Sequence, residues 1–163
     1  MTETRKSLVL EKLSSRFGDA ILATHSDLGD DTAVVSRGKI VEICTFLRDD
    51  ADLLFSLAID ITGVDYIDES PRFEVVYHLY SIEKKIRVRI KARVPADDPT
   101  IDSVSGVWIG MNWYEREAFD MYGIRFNHHP DLRRILLPET FVGHPLRKDY
   151  PKKKRQPTIG REE

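Results

Sequence analysis

The sequence predicts an α+β fold, in which helices pack on a small mixed or antiparallel sheet and a long, extended, proline-rich arm follows at the C-terminus. Two neighbouring segments alternate apolar and polar residues with the period of two that strands require. Other segments repeat apolar residues every three or four positions, as amphipathic helices do. After position 129 a proline falls every six to eight residues, too often for a helix or a central strand. We therefore divide the chain into an α+β domain, residues 1–124, and an extended arm, residues 125–163.

The size and composition of the chain exclude several classes of protein. A length of 163 residues suits one domain plus an extension, and 41% apolar with 32% charged residues is typical of a soluble protein. The longest apolar run, Leu53–Ile59, is far shorter than the roughly 20 residues that span a bilayer. We also expect no signal peptide, because no apolar segment follows the first residues. A net charge of −2 provides no overall attraction to nucleic acid.

The single cysteine limits the redox and metal chemistry of this chain. One thiol cannot form a disulfide framework, and it cannot supply the four thiolates that an iron–sulfur cluster usually takes. We expect Cys44 to be a small apolar side chain of the core.

Two helices are predicted in the N-terminal half. Residues 5–17 carry leucines at mixed three- and four-residue spacings and are followed by Gly18, a plausible stop. Residues 39–48 follow the helical period closely, because Ile40, Ile43, Cys44 and Leu47 fall on one face.

Strands are predicted at residues 20–24, 32–36, 57–64, 73–80 and 86–94. The last two form a hairpin, since both alternate strictly and only five residues join them. The apolar residues have odd positions in the first of these strands and even positions in the second. If they share one face of the sheet, the positions of any two residues that lie opposite each other must add up to an odd number. Glu74 then sits opposite Lys91 or Arg93.

A third helix is predicted to begin at Asn112 and to stop at Gly123. Asn112 can cap the helix, with Glu115 reaching back three residues later as in a capping box. The segment before it, residues 100–110, is predicted to hold a short helix or a turn. This third helix carries the charged residues Glu115, Arg116, Glu117 and Asp120.

Two interpretations of these charged residues are open. Glu117 and Asp120, with His128 or His129, have the donor types of a metal or acid–base site. Alternatively the charged residues form an ion-pair network that orients the helix and the arm after it, because Arg116 and Asp120 are neighbours on a helix surface. We favour the network. The five histidines lack the compact ligand pairs of a zinc site.

Basic residues suggest further alternatives. The run of Arg147, Lys148 and residues 152–155 could meet anionic lipid or nucleic acid, and residues 152–155 could instead be a solvated end. For Arg147 and Lys148 we favour a protein contact. In the hairpin, Arg87, Arg89, Lys91 and Arg93 share the polar face, which raises the possibility of RNA binding. The aromatic residues fall mainly on the opposite face, so we favour a solvated or partner-facing sheet.

The motifs from position 113 onward resemble the C-terminal signature of one family, the 30 kDa-type subunit, or C subunit, of NADH:quinone oxidoreductase, respiratory complex I. The matching segments are Glu115-Arg116-Glu117, Asp120, Gly123-Ile124, His129 to Arg134, and Gly143 to Pro151. The resemblance continues more loosely back to about residue 50. The chain departs from the family at His128, where Gly is more frequent, and at Phe141, where Trp is common.

The resemblance implies a structural role inside a larger assembly. It implies a peripheral subunit of the hydrophilic arm, on the cytoplasmic side of a bacterial inner membrane, with no catalytic, cofactor or metal site of its own. FMN, iron–sulfur clusters and quinone would belong to other subunits. The partners would be the hydrogenase-like large subunit of D type and the terminal-cluster subunit of B type, with no nucleic acid. The expected partner-interface residues are Glu115, Arg116, Glu117, Asp120, His129, Arg133, Arg134, His144, Arg147, Lys148 and Asp149.

Two other functions remain open at this point. A related membrane complex that takes electrons from ferredoxin or from F420 would use an equivalent subunit. An independent metal- or nucleic-acid-binding protein is the alternative from a different class.

Overall fold

The computed structural model describes residues 7–156. The helices are α1 (Leu8–Phe17), α2 (Ile40–Asp49) and α3 (Met111–Tyr122). The strands are β1 (Ile21–Asp27), β2 (Asp30–Val35), β3 (Leu57–Asp65), β4 (Phe73–Ser81), β5 (Ile86–Val94), β6 (Thr100–Asp102) and β7 (Arg125–Asn127). The predicted beginning of the first helix, at residues 5 and 6, and the end of the arm after residue 156 lie outside the described residues.

Five strands form one mixed sheet in the order β1-β2-β5-β4-β3. Neighbouring strands are antiparallel except β2 and β5, which run parallel. The short strands β6 and β7 form a separate parallel pair. Helices and a mixed sheet confirm the predicted α+β fold.

The register of the β4–β5 hairpin is the one that the alternation predicts. Phe73 pairs with Val94 and Tyr77 with Ile90, so each opposed pair of numbers sums to an odd value. Glu74 lies opposite Arg93 and also forms an ion pair with Lys91, whose Nζ is 3.2 Å from Glu74 Oε1. The apolar set of both strands therefore faces one side of the sheet.

The core lies between that apolar face and the helices. α2 contributes the predicted stripe of Ile40, Ile43, Cys44 and Leu47, all of them fully buried. From the sheet, Tyr77 and Ile90 are among the residues buried against it. Each side chain of this size stabilises the fold by about 1.5–3 kcal/mol when it leaves water. Cys44 is thus the buried apolar residue that the sequence predicts.

α3 packs on β3 through a close approach that a glycine permits. A Cβ atom on Gly63 would lie only 2.7 Å from the ring of Tyr122. The helix ends at Gly123, which has a φ of 72° and stops it as predicted. This packing fixes the position of α3, the element that carries Glu115, Arg116, Glu117 and Asp120.

Two local predictions around α3 are wrong. The helix begins at Met111, and its N-cap, Gly110, makes no side-chain capping bond. Glu115 instead accepts hydrogen bonds from the hydroxyl of Ser103 and the backbone N–H of Val104. The fold shields the Val104 donor fully and the Ser103 donor in part, so both need an acceptor, which the Glu115 carboxylate provides. Residues 100–102 form the strand β6, which pairs with β7, whereas the sequence predicts a short helix or turn there.

Candidate functional site

The arm folds back along α3 instead of leaving the domain. The proline spacing and the sparse apolar periodicity predict that residues 125–151 make few contacts with their own domain core, and the hydrogen bonds described below show that prediction to be wrong. Prolines prevent this segment from pairing its backbone in a helix or a sheet, so its amides and carbonyls need other partners. Side chains of α3 and of the end of β3 supply those partners.

Asp120 is the main anchor of the arm on α3. Its buried Oδ2 accepts the backbone N–H groups of Ile135, Leu136 and Leu137 at 3.1, 2.9 and 2.9 Å. Its Oδ1 accepts a bond of 2.6 Å from Arg134 Nη1. Burial raises the pKa of this carboxyl, but these hydrogen bonds outweigh burial and hold the pKa below its usual range. Asp120 is therefore a charged carboxylate that accepts hydrogen bonds from three consecutive backbone amides.

Arg116 binds the same stretch of the arm from one turn earlier. Its Nε donates to the carbonyl of Arg133 at 3.1 Å, and its Nη2 donates to the carbonyl of Arg134 at 3.0 Å. The guanidinium also lies over the ring of Trp113, 5.2 Å from its centroid. Arg116 and Asp120 are thus neighbours on α3 as predicted, and both bind the arm. The Asp120 carboxylate forms its ion pair with Arg134 of the arm.

Glu115 is completely buried beneath the start of the arm. Its Oε1 accepts the N–H of Val104 at 2.7 Å and its Oε2 accepts the hydroxyl of Ser103 at 2.6 Å. Burial raises the pKa of this carboxyl to about 7, although both hydrogen bonds act in the opposite direction. His129 Nε2 lies 3.8 Å from Glu115 Oε2, and both side chains are fully shielded from solvent.

Both ring nitrogens of His129 form hydrogen bonds. Nδ1 accepts the N–H of Asp131 at 3.0 Å. Nε2 donates to the carbonyl of Asn112 at 3.2 Å. The preceding residue, His128, has a φ of 62°, a left-handed conformation that glycine adopts most easily. The turn that a glycine would favour is therefore kept with His128 in its place.

The second half of the arm crosses the end of α3. His144 Nδ1 donates to the carbonyl of Asp120 at 3.0 Å, and burial lowers the pKa of this ring. Arg147 Nε donates to the carbonyl of Tyr122, and its guanidinium lies 5.0 Å from the centroid of the Phe73 ring. A Cβ atom on Gly123 would come within 2.5 Å of Arg147 Nη2 and 2.6 Å of the His144 ring, so a side chain here would displace both groups of the arm.

A carboxylate of β3 holds the arm beyond this crossing. Asp65 Oδ2 accepts the N–H of Lys148 at 2.7 Å, while Arg72 forms an ion pair with the same carboxylate at 2.7 Å. Arg72 also reaches Asp149 at 3.0 Å. The hydrogen bond from Arg72 is the main reason why the pKa of Asp65 lies below its usual range.

The predicted interface residues fall into two groups. Those used inside the chain are Glu115, Arg116, Asp120, His129, Arg134, His144 and Arg147. Those exposed on the surface are Glu117, Arg133, Lys148 and Asp149. Two of these exposed side chains also form ion pairs within the chain, Asp149 with Arg72 and Arg133 with Asp131. The sequence interpretation missed Ser103, Asp65 and Arg72, which lie far along the chain from the arm and belong to no local motif.

The structure also bears on the alternative functions. Within residues 7–156, no group of three His, Cys, Asp or Glu side chains is arranged to hold a metal ion. The basic side chains of the sheet are largely paired: Arg93 with Glu69 and Glu74, Lys91 with Glu74, and Arg89 with Asp30. Such pairing leaves little free positive charge on that face for a phosphate backbone. In the same part of the chain, no helix has the length and apolar character needed to cross a membrane.

Comparison with known proteins gives consistent matches over most of the chain. A family model described as "Respiratory-chain NADH dehydrogenase, 30 Kd subunit" matches residues 33–156. The NADH-quinone oxidoreductase C subunit of Geobacter sulfurreducens is 48% identical over 164 residues, which cover 99% of each chain. The second C subunit of this enzyme in Rhizobium etli is 51% identical over 145 residues, which cover 89% of this chain and 77% of the relative.

Solved structures agree with these matches. The trypsin-resistant fragment 1–134 of Nqo5 is 28% identical, with a TM-score of 0.63, and the match covers 77% of this chain and 100% of the fragment. A chain of the membrane-bound sulfane sulfur reductase, an archaeal respiratory membrane complex, has a TM-score of 0.72 at 21% identity, covering 89% of this chain and 85% of that one. The latter likeness shows a shared fold alone. On the family model and the sequence identities, this chain belongs to the family of the 30 Kd subunit of the respiratory-chain NADH dehydrogenase, the C subunit of NADH-quinone oxidoreductase.

Proposed function

We propose that this chain is a non-catalytic structural subunit in the hydrophilic arm of a proton-translocating NADH:quinone oxidoreductase. It docks on the hydrogenase-like D-type subunit beside the quinone site and on the B-type subunit that carries the terminal cluster. It is peripheral, on the cytoplasmic side of the inner membrane. FMN, iron–sulfur clusters and quinone are held by other subunits of the complex.

The observation that carries this proposal is the use of the charged motif. Asp120 and Arg116 of α3 bind backbone groups of the arm, and Arg147 of the arm binds the carbonyl of Tyr122 in α3, so these hydrogen bonds hold the arm in one place. A catalytic acid or base must reach the proton that it transfers. Side chains that are already hydrogen-bonded within the chain favour a structural role, in which the subunit presents a fixed arm to neighbouring subunits.

A related complex with a different electron donor is the second candidate. The shared fold with a chain of an archaeal respiratory complex supports the idea that one scaffold serves several assemblies. A ferredoxin- or F420-dependent complex would place the same demand on this subunit, because the donor is bound elsewhere. The family match to the NADH-dependent enzyme favours the first candidate.

Purification of the tagged full-length chain from solubilised membranes tests the proposal. We expect the chain to elute with cluster-bearing subunits and with NADH:quinone reductase activity. Activity with reduced ferredoxin or F420 in place of NADH would identify the second candidate. Elution as a free, stable monomer without clusters would contradict both.

A further inference from the structure

Glu115 is a buried carboxyl that titrates near neutral pH. Its side chain is fully shielded from solvent, and burial raises its pKa to about 7. At neutral pH such a group carries a proton in about half of the molecules. Each time it titrates, a proton must pass between water and a carboxyl oxygen that water does not touch. The fold must therefore either open or contain a path for this proton.

Two serine hydroxyls lead from Glu115 toward the surface. Ser103 Oγ donates to Glu115 Oε2 at 2.6 Å. Ser105 Oγ lies 2.7 Å from Ser103 Oγ, in a contact where either hydroxyl can be the donor. Both serines are half-buried, whereas the carboxyl is fully buried. Three oxygen atoms thus form a continuous chain of hydrogen bonds that ends in the partly exposed turn before α3.

The hydrogen bonds of Ser103 leave no place for a water molecule on its oxygen. A hydroxyl donates one hydrogen bond and accepts two. Ser103 Oγ already accepts the backbone N–H of Ser105 at 3.1 Å, so one donor and one acceptor position remain for Glu115 and for Ser105 Oγ. Solvent therefore reaches this chain of hydroxyls only through Ser105.

The same count couples the directions of the two remaining hydrogen bonds. When Glu115 is ionised, Ser103 donates to the carboxylate and must accept from the hydroxyl of Ser105. When Glu115 is protonated, the acid donates to Ser103, which must then donate to Ser105. Both arrangements use the same three oxygen positions, so rotation of two hydroxyl groups is enough to accommodate either protonation state.

The other titratable groups around Glu115 do not connect it to solvent. His129 Nε2 is 3.8 Å from Oε2, beyond hydrogen-bond distance, and its side chain is fully shielded. Cys44 of α2 and Tyr77 of β4 are fully buried, and burial together with the charge of Glu115 raises the pKa of each, so both keep their protons. In the part of the chain that the structure describes, the serine pair is the route that remains.

We propose that Ser105 and Ser103 form a hydroxyl relay that carries a proton between solvent and the buried carboxyl of Glu115 while the fold stays closed. In uptake, an acid in solution, hydronium or a protonated buffer, gives a proton to Ser105 Oγ. The original Ser105 proton passes to Ser103 Oγ, and the original Ser103 proton passes to Glu115 Oε2. One proton enters, each hydroxyl again holds one proton, and the carboxylate becomes an acid; release reverses these transfers. The relay adds a proton-binding site to the proposed structural function and does not depend on it.

The rate of exchange between the acid and the carboxylate of Glu115 tests the relay. It is measured on the full-length chain with isotope-labelled glutamate, at about pH 7, by NMR relaxation dispersion, which reports exchange on the μs–ms timescale. The Glu115 signal is the one that Glu115→Gln lacks. The matched variants are Ser105→Thr, which keeps a hydroxyl, and Ser105→Val, which has the same shape without one. The φ of Ser105 is not positive, so its backbone accepts both β-branched side chains.

We expect Ser105→Val to slow this exchange at least about tenfold relative to Ser105→Thr, the factor that an opening free energy of about 1.4 kcal/mol imposes. The pKa of Glu115 should be similar in the two variants, because the hydrogen bond from Ser103 to the carboxylate is present in both. Unfolding curves show whether each variant folds. If Ser105 only stabilises the turn, those curves change and the exchange rate does not. Equal exchange rates in the two folded variants overturn the inference.

The same pair of substitutions at position 103 provides a second test, which also applies if Ser105→Val does not fold. Ser103→Val should slow the exchange relative to Ser103→Thr. It should also raise the pKa of Glu115, because the ionised carboxyl loses a hydrogen-bond donor. Ser15→Val, at an exposed position of α1, is the control and should exchange as the wild type does. If Ser103→Val folds and exchanges as fast as Ser103→Thr, the proton reaches Glu115 by another path and the relay is wrong.

Discussion

Asp120 of α3, which is buried, and Arg134 of the arm, which is partly buried, form an ion pair of 2.6 Å, and the same carboxylate accepts hydrogen bonds from three consecutive backbone N–H groups of the arm. Helix and arm are thereby joined through one side chain. The relationship explains how a segment with a proline every six to eight residues keeps a single path over the domain. Its backbone is satisfied by side chains, which is the usual requirement for buried polar groups outside regular structure.

Replacement of Asp120 by Asn tests this role. The variant loses the charge that attracts Arg134 and one of the two oxygens that accept N–H groups. We expect the free energy of unfolding to fall by about 3 kcal/mol, since breaking one side of a buried pair is costly. Amide hydrogen exchange at residues 135–137 should become faster. The exposed Glu117→Gln is the matched control and should change stability by less than about 0.5 kcal/mol. If these three amides exchange as slowly in the Asp120→Asn variant as in the wild type, the Asp120 carboxylate does not hold them.

Arg116→Ala and Arg147→Ala are expected to reduce quinone reductase activity by loss of assembled complex. Arg116 holds two backbone carbonyls of the arm, and Arg147 ties the arm to a backbone carbonyl of α3. Leaving such a carbonyl buried without its donor costs about 1–3 kcal/mol. The measurement is turnover per assembled complex, with assembly counted by native gel and cluster content. Arg87→Ala, on the exposed outer face of the sheet, is the control. A hundredfold fall in normalised turnover with intact assembly would assign these residues a direct part in the chemistry.

The buried Glu115 should make folding stability depend on pH. An unfolded glutamate loses its proton near 4.5, whereas burial raises the pKa of Glu115 in the folded chain to about 7. Between these values the folded state binds more protons, so stability falls as pH rises, by at most about 1.4 kcal/mol per pH unit. Urea unfolding of the full-length chain from about pH 5 to about pH 8 measures this slope.

The variant Glu115→Gln isolates the effect of this one carboxyl. Glutamine cannot ionise, but its carbonyl oxygen can still accept a bond from the Val104 amide or the Ser103 hydroxyl. The part of the slope that arises from Glu115 should disappear in the variant. An identical slope in the variant and the wild type would show that another group titrates.

The hydroxyl of Tyr77 is buried without a hydrogen-bond partner among the described residues. An unsatisfied buried hydroxyl costs free energy, and Tyr77→Phe removes it without leaving a cavity. We expect the free energy of unfolding to stay the same or to rise by about 1 kcal/mol. Tyr77→Ala, which does leave a cavity, should cost about 3–5 kcal/mol by analogy with other aromatic truncations. A loss above about 1 kcal/mol in Tyr77→Phe would reveal a partner for the hydroxyl, such as an internal water.

Local patterns were sufficient for several parts of this protein. The hairpin register and the buried face of α2 follow from residues that are near one another in the chain, where the period of the side chains decides which face is buried. The ordered motif string after position 113 was likewise sufficient to indicate the family. Position 123 was predictable as a helix stop because a glycine there tolerates the left-handed backbone conformation.

The tertiary structure decided what those residues contact. The carboxylate of Asp65 meets the amide of Lys148 across 83 positions of sequence, and no periodic pattern encodes such a meeting. Glu115 does not form its predicted cap because a turn brought beside it by the fold offers a buried amide and a hydroxyl. The arm lies on α3 for the same reason: its backbone groups needed partners that only the folded domain places within reach. Periodicity thus determines which elements form, while the unmet hydrogen-bonding groups of the folded chain determine how they are joined.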